Sequence, residues 1–276
     1  MTIKILRLLC LLVLSYASFG QDKNLYDLEN SLKFARFLDQ KGNHSLAILE
    51  WERINMMQPN SDSLQFALIR SYRQAGDFQG GIKRFDLLFP DHQQYHNSID
   101  LGQEMARLLF LNQDFGRLKV YIQNHHALDL KYKQVAEVSL ALRDGNAPEA
   151  KTLYANYQLQ EIQLEQLISQ GEDLPYKNKA LAVAMSTIVP GSGKAYLGNW
   201  QDGLVSLLFI GGSAYASYRG FNQEGINSAY GWIFGTISTG FYLGNIFGTA
   251  KATNKYNRGI LEHYQADVET FLYRRL

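Results

Sequence analysis

The feature that most constrains this chain is a spacing. In FARFLDQKGNHSLAILEWERINMMQP the residues Gly42, Ala47 and Trp51 are followed 34 positions later by Gly76, Gly81 and Phe85, in LIRSYRQAGDFQGGIKRFDLLFP. Apolar residues here recur every three or four positions, and Gly and Pro are few. Such a period describes a helix-turn-helix unit copied along the chain. Each position has a physical role: the glycine ends the first helix, the small residue lets two helices approach, and the aromatic fills the space between them. Pro59 closes the first copy and Pro90 comes slightly early in the second.

Two weaker copies follow. RDGNAPEAKTLYANY keeps Gly145, Ala150 and Tyr154 at the same internal spacing, whereas LNQDFGRLKVYI carries Gln113, Leu118 and Ile122. Residues 21–170 therefore resemble a tetratricopeptide-repeat solenoid of about four helical pairs. An irregular helical bundle is the competing reading. The resemblance implies binding, because such repeats stack on one another and present a concave face to a peptide or partner helix. A repeat array that only spaces or supports the rest of the chain is the plainer alternative.

The first 20 residues read as a secretory signal: Lys4 and Arg7, an apolar run from Leu8 to Leu14, then the small residues Ser18 and Gly20. An uncleaved anchor is the alternative. The only cysteine, Cys10, follows Arg7, Leu8 and Leu9 and so does not suit a lipoprotein signal. Cleavage would leave a chain without thiols and would exclude disulfides, thiolate catalysis and cysteine metal sites. Removing Lys4 and Arg7 takes the net charge from +1 to −1, which gives no reason to expect nucleic acid as a partner. Charge is unevenly placed, with 16 Lys and Arg against 21 Asp and Glu in residues 21–176, and 9 against 5 in residues 177–276.

Residues 171–179, with Gly171 and Pro175, read as a hinge. Beyond it charge is scarce: Ala180 to Gly193, Gly203 to Tyr218 and the 26 residues from Gly225 to Ala250 carry none. The last stretch has the length of a membrane span, and LVSLLFIGGSAYASY is short for one. Gly231, Gly235, Gly240, Gly244 and Gly248 contain three GxxxG pairs, which expose bare backbone so that a neighbouring membrane helix can pack closely. Trp200, Trp232, Tyr196, Tyr218 and Tyr242 lie mostly near segment ends, where amphipathic rings favour an interface. A membrane helical module over residues 180–252 is expected, against a buried hairpin in a soluble protein or a β-barrel strand.

The stretch IVPGSGKAYLGNW looks at first like a phosphate loop. A Walker A loop needs Gly where Ile188 stands and Ser or Thr where Ala195 stands, and the chain shows no βαβ unit for a dinucleotide site. A turn is expected instead, with Pro190 and Gly191 interrupting a helix, Gly193 and Gly198 allowing tight backbone, and Lys194, Tyr196 and Asp202 facing lipid headgroups. The pattern P-G-S-G-K-x-Y-x-G, followed by Trp200, Asp202 and GLVSLLFIGG, resembles TM2-type membrane hairpins joined to periplasmic repeat domains in bacterial envelope proteins. It departs from them at Pro190 and at Lys194-Ala195. The resemblance covers roughly residues 177–255 and implies location and shape, with no agreed activity.

Charge sets an expected orientation: repeats in the periplasm, three crossings of the inner membrane beginning with Ala180 to Tyr196, and Lys251, Lys255, Arg258, Arg274 and Arg275 inside; two crossings, which leave this basic tail outside, are the alternative. The tail, residues 253–276, places Ile260, Leu261, Tyr264, Val268, Phe271 and Leu272 on one helical face. That face suits the membrane surface, a dock on the repeats or an ordinary bundle. No catalytic set stands out. His92 and His96 have metal-ligand spacing but no third ligand, and His125 and His126 diverge by about 100° on a helix. The expectation is an all-α envelope scaffold without a cofactor, a repeat solenoid followed by a small transmembrane hairpin, whose partners are an envelope protein or peptide and the bilayer. A membrane enzyme or lipid-handling protein with its site at the PGSGK turn is the second reading, and a soluble bundle the third.

Overall fold

The computed structural model describes residues 24–90 and 98–276. The signal at residues 1–20 and the pair His92 and His96 lie outside the described residues. Those described form α-helices and contain no strand: α1 Leu28–Gln40, α2 His44–Met57, α3 Asp62–Gln74, α4 Phe78–Leu88, α5 Ile99–Leu111, α6 Phe115–Asn124, α7 Leu130–Arg143, α8 Ala147–Asn156, α9 Ile162–Glu172, α10 Lys179–Ile188, α11 Ser192–Tyr196, α12 Trp200–Glu224 and α13 Ala229–Arg275, with one 3-10 turn at Gly225–Asn227.

The helices that follow α1, α3, α5 and α7 are all reached through the same turn. One residue takes positive φ: Gly42 at 75°, Gly76 at 77°, Gln113 at 59° and Gly145 at 79°. Its N–H returns to the carbonyl of Asp39, Arg73, Phe110 or Leu142, and the next N–H returns to Leu38, Tyr72, Leu109 or Ala141. These bonds satisfy carbonyls that a helix end leaves without partners. The next helix starts at once, because the side chains of Asp77, Asp114 and Asn146 accept from the backbone N–H of Gly80, Arg117 and Glu149.

The chain divides into two compact units, residues 24–133 with Leu276, and residues 134–275. In the first, Ala35, Leu38, Ala47, Trp51, Ile54, Leu64 and Leu68 form a core. Trp51 donates its indole N–H to Asp39 at 2.8 Å, and Ser71 donates to the same carboxylate at 2.9 Å. Ion pairs recur with the repeat: Glu52 and Asp86, 34 positions apart, meet Arg84 and Arg117, each at 2.5 Å. Buried Glu104 is held by Arg73 and Arg107. Gly81 packs where the period places it, since a Cβ there would lie 3.0 Å from Leu108 and from Tyr72.

In the second unit Val138, Leu142, Ala150, Leu164 and Ile168 pack with Tyr264, Val268 and Phe271, and Tyr154 leans on this core. The tail is therefore no separate helix: it continues the 47-residue α13, and its apolar face docks on α7 to α9. The expected hinge is pinned within this unit. Lys177 N–H donates to Asn257 Oδ1 at 2.8 Å, Asn257 Nδ2 donates back to Lys177 O at 2.9 Å, and Tyr264 donates to Leu167 O at 2.9 Å.

Two expectations about the membrane module need correction. The segment from Ala180 to Tyr196 does not cross anything as one span. The turn at Pro190 and Gly191, with Gly191 at φ 87°, sends the five-residue α11 back alongside α10, so that the Lys177 ammonium stands 4.8 Å from the Tyr196 ring. With the tail docked on α7 to α9, three crossings that carry it to the opposite side are excluded. Further, none of the described helices is long and apolar enough to cross a membrane. α12 and α13 have 25 and 47 residues, but up to Thr253 their buried positions are, apart from Ile210, all Gly, Ser, Thr or Asn, and hydropathy averages both faces.

Candidate functional site

The expected site residues gather where α10, α11, α12 and α13 meet. This region is held together by close backbone approach. A Cβ on Gly191 would lie 1.9 Å from Gly203 O, and one on Gly193 would lie 2.0 Å from Ala182 O and 2.5 Å from Ser186 Oγ. Gly198, at φ 88°, ends α11 in open space.

Polar side chains line the interior. Ser186 and Thr249 share a hydrogen bond at 2.8 Å, Gly193 N–H donates to Ser186 Oγ at 3.1 Å, and Asn245 Nδ2 donates to Ser186 O at 3.3 Å. Thr249 and Thr253 return their hydroxyls to the carbonyls one turn back, at 2.9 Å each. Tyr242, expected at an interface, donates to Thr187 O at 2.8 Å.

This geometry explains why the loop is no phosphate cradle. Such a cradle needs several backbone N–H groups free to face an anion. Those of Ser192, Gly193, Lys194 and Ala195 are committed to Val189 O, Ser186 Oγ and Gly191 O.

The three polar residues expected to share a face separate. Lys194, half-buried, donates from its ammonium to Ser206 Oγ at 2.9 Å. Tyr196 faces Lys177 instead. Asp202 is exposed in the first turn of α12, and its carbonyl accepts from Ser206 at 2.8 Å. The glycine stripe of α13 separates as well. Gly231 meets the Phe221 ring and Gly235 meets Ser217, but a Cβ at Gly240, Gly244 or Gly248 would meet nothing within 4 Å.

The outer surface of this hairpin is apolar: Leu204, Leu208, Phe209, Trp232, Ile233, Phe241 and Phe247 are all exposed, while Ser213, Ser217, Ser228, Asn245, Thr249 and Thr253 are buried. A helical pair folded in water has the opposite arrangement. Phe209 and Phe241 lie 5.7 Å apart and flank a groove of about 430 Å³ that reaches Lys194 and Asn245.

Sequence reasoning missed the buried Ser186, Asn245, Thr249 and Thr253. Their signal was present, because Asn245, Thr249 and Thr253 fall at i, i+4 and i+8 on one helical face. It also missed Arg36 and Arg70, 34 positions apart, which line one cavity of about 310 Å³ in the first unit. Among the described residues no group of three His, Cys, Asp or Glu is placed to hold a metal ion. Comparison with known proteins finds no matching family model, no matching curated protein and no matching solved structure.

Proposed function

We propose that this chain is a membrane-tethered scaffold of the bacterial envelope, with α10 to α12 and the first part of α13, up to Ala250, seated in lipid and the periplasmic repeat helices holding a protein partner. The inverted hairpin carries this reading. Fully burying one Leu, Ile or Phe is worth about 1.5–3 kcal/mol. The exposed set around α12 and α13 therefore forgoes on the order of 10 kcal/mol in water, comparable to a whole domain's margin of stability. Lipid removes that penalty, and the inward hydroxyls are satisfied by backbone carbonyls and, for Ser186 and Thr249, by each other, where lipid offers no partner.

The partner is inferred from the repeat register. Arg36 and Arg70 occupy equivalent places in successive copies, both are exposed, and among the described residues no carboxylate pairs with either. Gln40, Ser63, Phe66 and Asp39 share their cavity, the Asp39 carboxylate being taken up by Trp51 and Ser71. Two unpaired guanidinium groups flanking an aromatic suit a protein segment bearing carboxylates.

The test is crosslinking in intact cells, with a tagged chain recovered from carbonate-washed membranes and analysed by mass spectrometry. The chain is expected to stay with the membrane and to yield one stoichiometric partner, joined through residues 25–170. Replacing both Arg36 and Arg70 by Glu is expected to lose the partner and keep membrane retention. Recovery in the soluble fraction would refute the tether, and an unchanged partner yield in the double variant would refute the arginine surface.

A further inference from the structure

We infer that the groove between α12 and α13 is a binding site for one anionic glycerophospholipid, its head at Lys194 and an acyl chain running along Gly244 and Gly240; this rests on the membrane seating proposed above. The head end offers charge. Ser206 gives its own hydrogen to Asp202 O at 2.8 Å, so its oxygen accepts from Lys194 at 2.9 Å, and the ammonium keeps further N–H groups to donate. Among the described residues no carboxylate pairs with Lys194. Beside it Asn245 is 4% exposed; its Nδ2 is used on Ser186 O, while its Oδ1 is buried without a hydrogen-bond partner. A buried acceptor left in this way is costly. A phosphate-bearing head answers the free donors of the Lys194 ammonium.

The chain end offers only hydrocarbon surface. Gly240 and Gly244 form a floor of bare backbone, Val205 and Ile210 line the side, and the rings of Phe209 and Phe241 stand 5.7 Å apart along it. The groove's volume of about 430 Å³ lies in the range of small-molecule sites, about 300–1,000 Å³. A peptide would leave its backbone groups unpaired against these walls. An acyl chain has none to pair. Direction agrees with the membrane reading: Lys194 lies at the end of the groove near α10 and α11, and Gly240 lies toward the loop at Gly225.

The test uses the full chain. Flotation with phosphatidylcholine vesicles first establishes membrane seating. The chain in neutral detergent is then titrated with short-chain phosphatidylglycerol and, separately, short-chain phosphatidylcholine, following thermal unfolding and oligomeric state. Phosphatidylglycerol is expected to raise the melting temperature more than phosphatidylcholine. Lys194→Gln is expected to weaken that response about tenfold, the scale of one lost charge-assisted contact. Gly244→Leu is expected to abolish the response to both lipids, with helix content retained because nothing lies within 4 Å of its Cβ. Equal responses to the two lipids in the wild type, or an undiminished response in Gly244→Leu, would overturn the site while leaving the tether intact. Conversion of a wild-type dimer to a monomer by Gly244→Leu would assign the groove to a second copy of this chain and overturn the lipid. Failure to float would remove the tether and the lipid site together.

Discussion

Three glycines of the hairpin, alike in sequence, are expected to respond to the same substitution in different ways. In Gly193→Ala the new methyl group is placed 2.0 Å from Ala182 O, 2.5 Å from Ser186 Oγ and 2.7 Å from Thr249 Cγ2. Two of these neighbours belong to α10 and one to α13, so α11 has to move away from both. Overpacking of this kind costs about 1–3 kcal/mol, and losing the Gly193 N–H bond to Ser186 Oγ adds about 1 kcal/mol, for a total near 3 kcal/mol. In Gly198→Ala there is no clash, but φ is 88°, and an L-residue there costs about 1–2 kcal/mol. In Gly244→Ala nothing lies within 4 Å and the site is helical, so about 0.8–1 kcal/mol is gained from helix propensity. For a unit of this size 1 kcal/mol moves the melting temperature by about 2–4 °C. Thermal unfolding of the purified full chain, followed by circular dichroism, should rank the proteins Gly193→Ala below Gly198→Ala, below wild type, below Gly244→Ala. A Gly193→Ala variant as stable as Gly244→Ala would mean that the α10, α11 and α13 junction is not packed as described.

Gln113 holds the left-handed turn position that glycine fills in the other copies, so Gln113→Gly is expected to stabilise the chain by about 1 kcal/mol in denaturant titration. Phe271→Ala removes a ring that is 6% exposed in the core joining the tail to α7–α9; a loss of about 3 kcal/mol is expected, and a midpoint shift near zero would argue against the docked tail. Burial raises the Tyr264 pKa to about 12 from an ordinary 10.0. The neutral phenol is thus favoured in the folded state, and its contribution is complete below pH 10 and lost as pH rises through about 12. Stability measured from pH 9 to 12 should fall less steeply in Tyr264→Phe than in wild type.

Local terms made much of this fold legible in the sequence. A glycine followed by Asn or Asp, 34 positions from the next such pair, specifies a left-handed C-cap and an N-cap through residues within four positions of one another. The packing roles of Ala47, Trp51, Gly81 and Phe85 follow from the same period, as does the apolar face of Tyr264, Val268 and Phe271. What tertiary structure alone decided involves partners far along the chain. Gly231 and Gly244 sit in indistinguishable GxxxG contexts, and only the path of α12 decides that one is packed and the other open. Lys194 and Tyr196 are two residues apart, about 200° around a helix, and the position of Lys177 and Ser206 decides where each turns. The reversal at Pro190 and Gly191, the clamp between Lys177 and Asn257, and the burial of Ser186 against Thr249 join residues 63 to 80 positions apart or depend on such joins. Neither hydropathy nor periodicity records such pairings, because each sums over neighbours in sequence, whereas burial of a hydroxyl or exposure of a phenylalanine depends on which helix arrives opposite it.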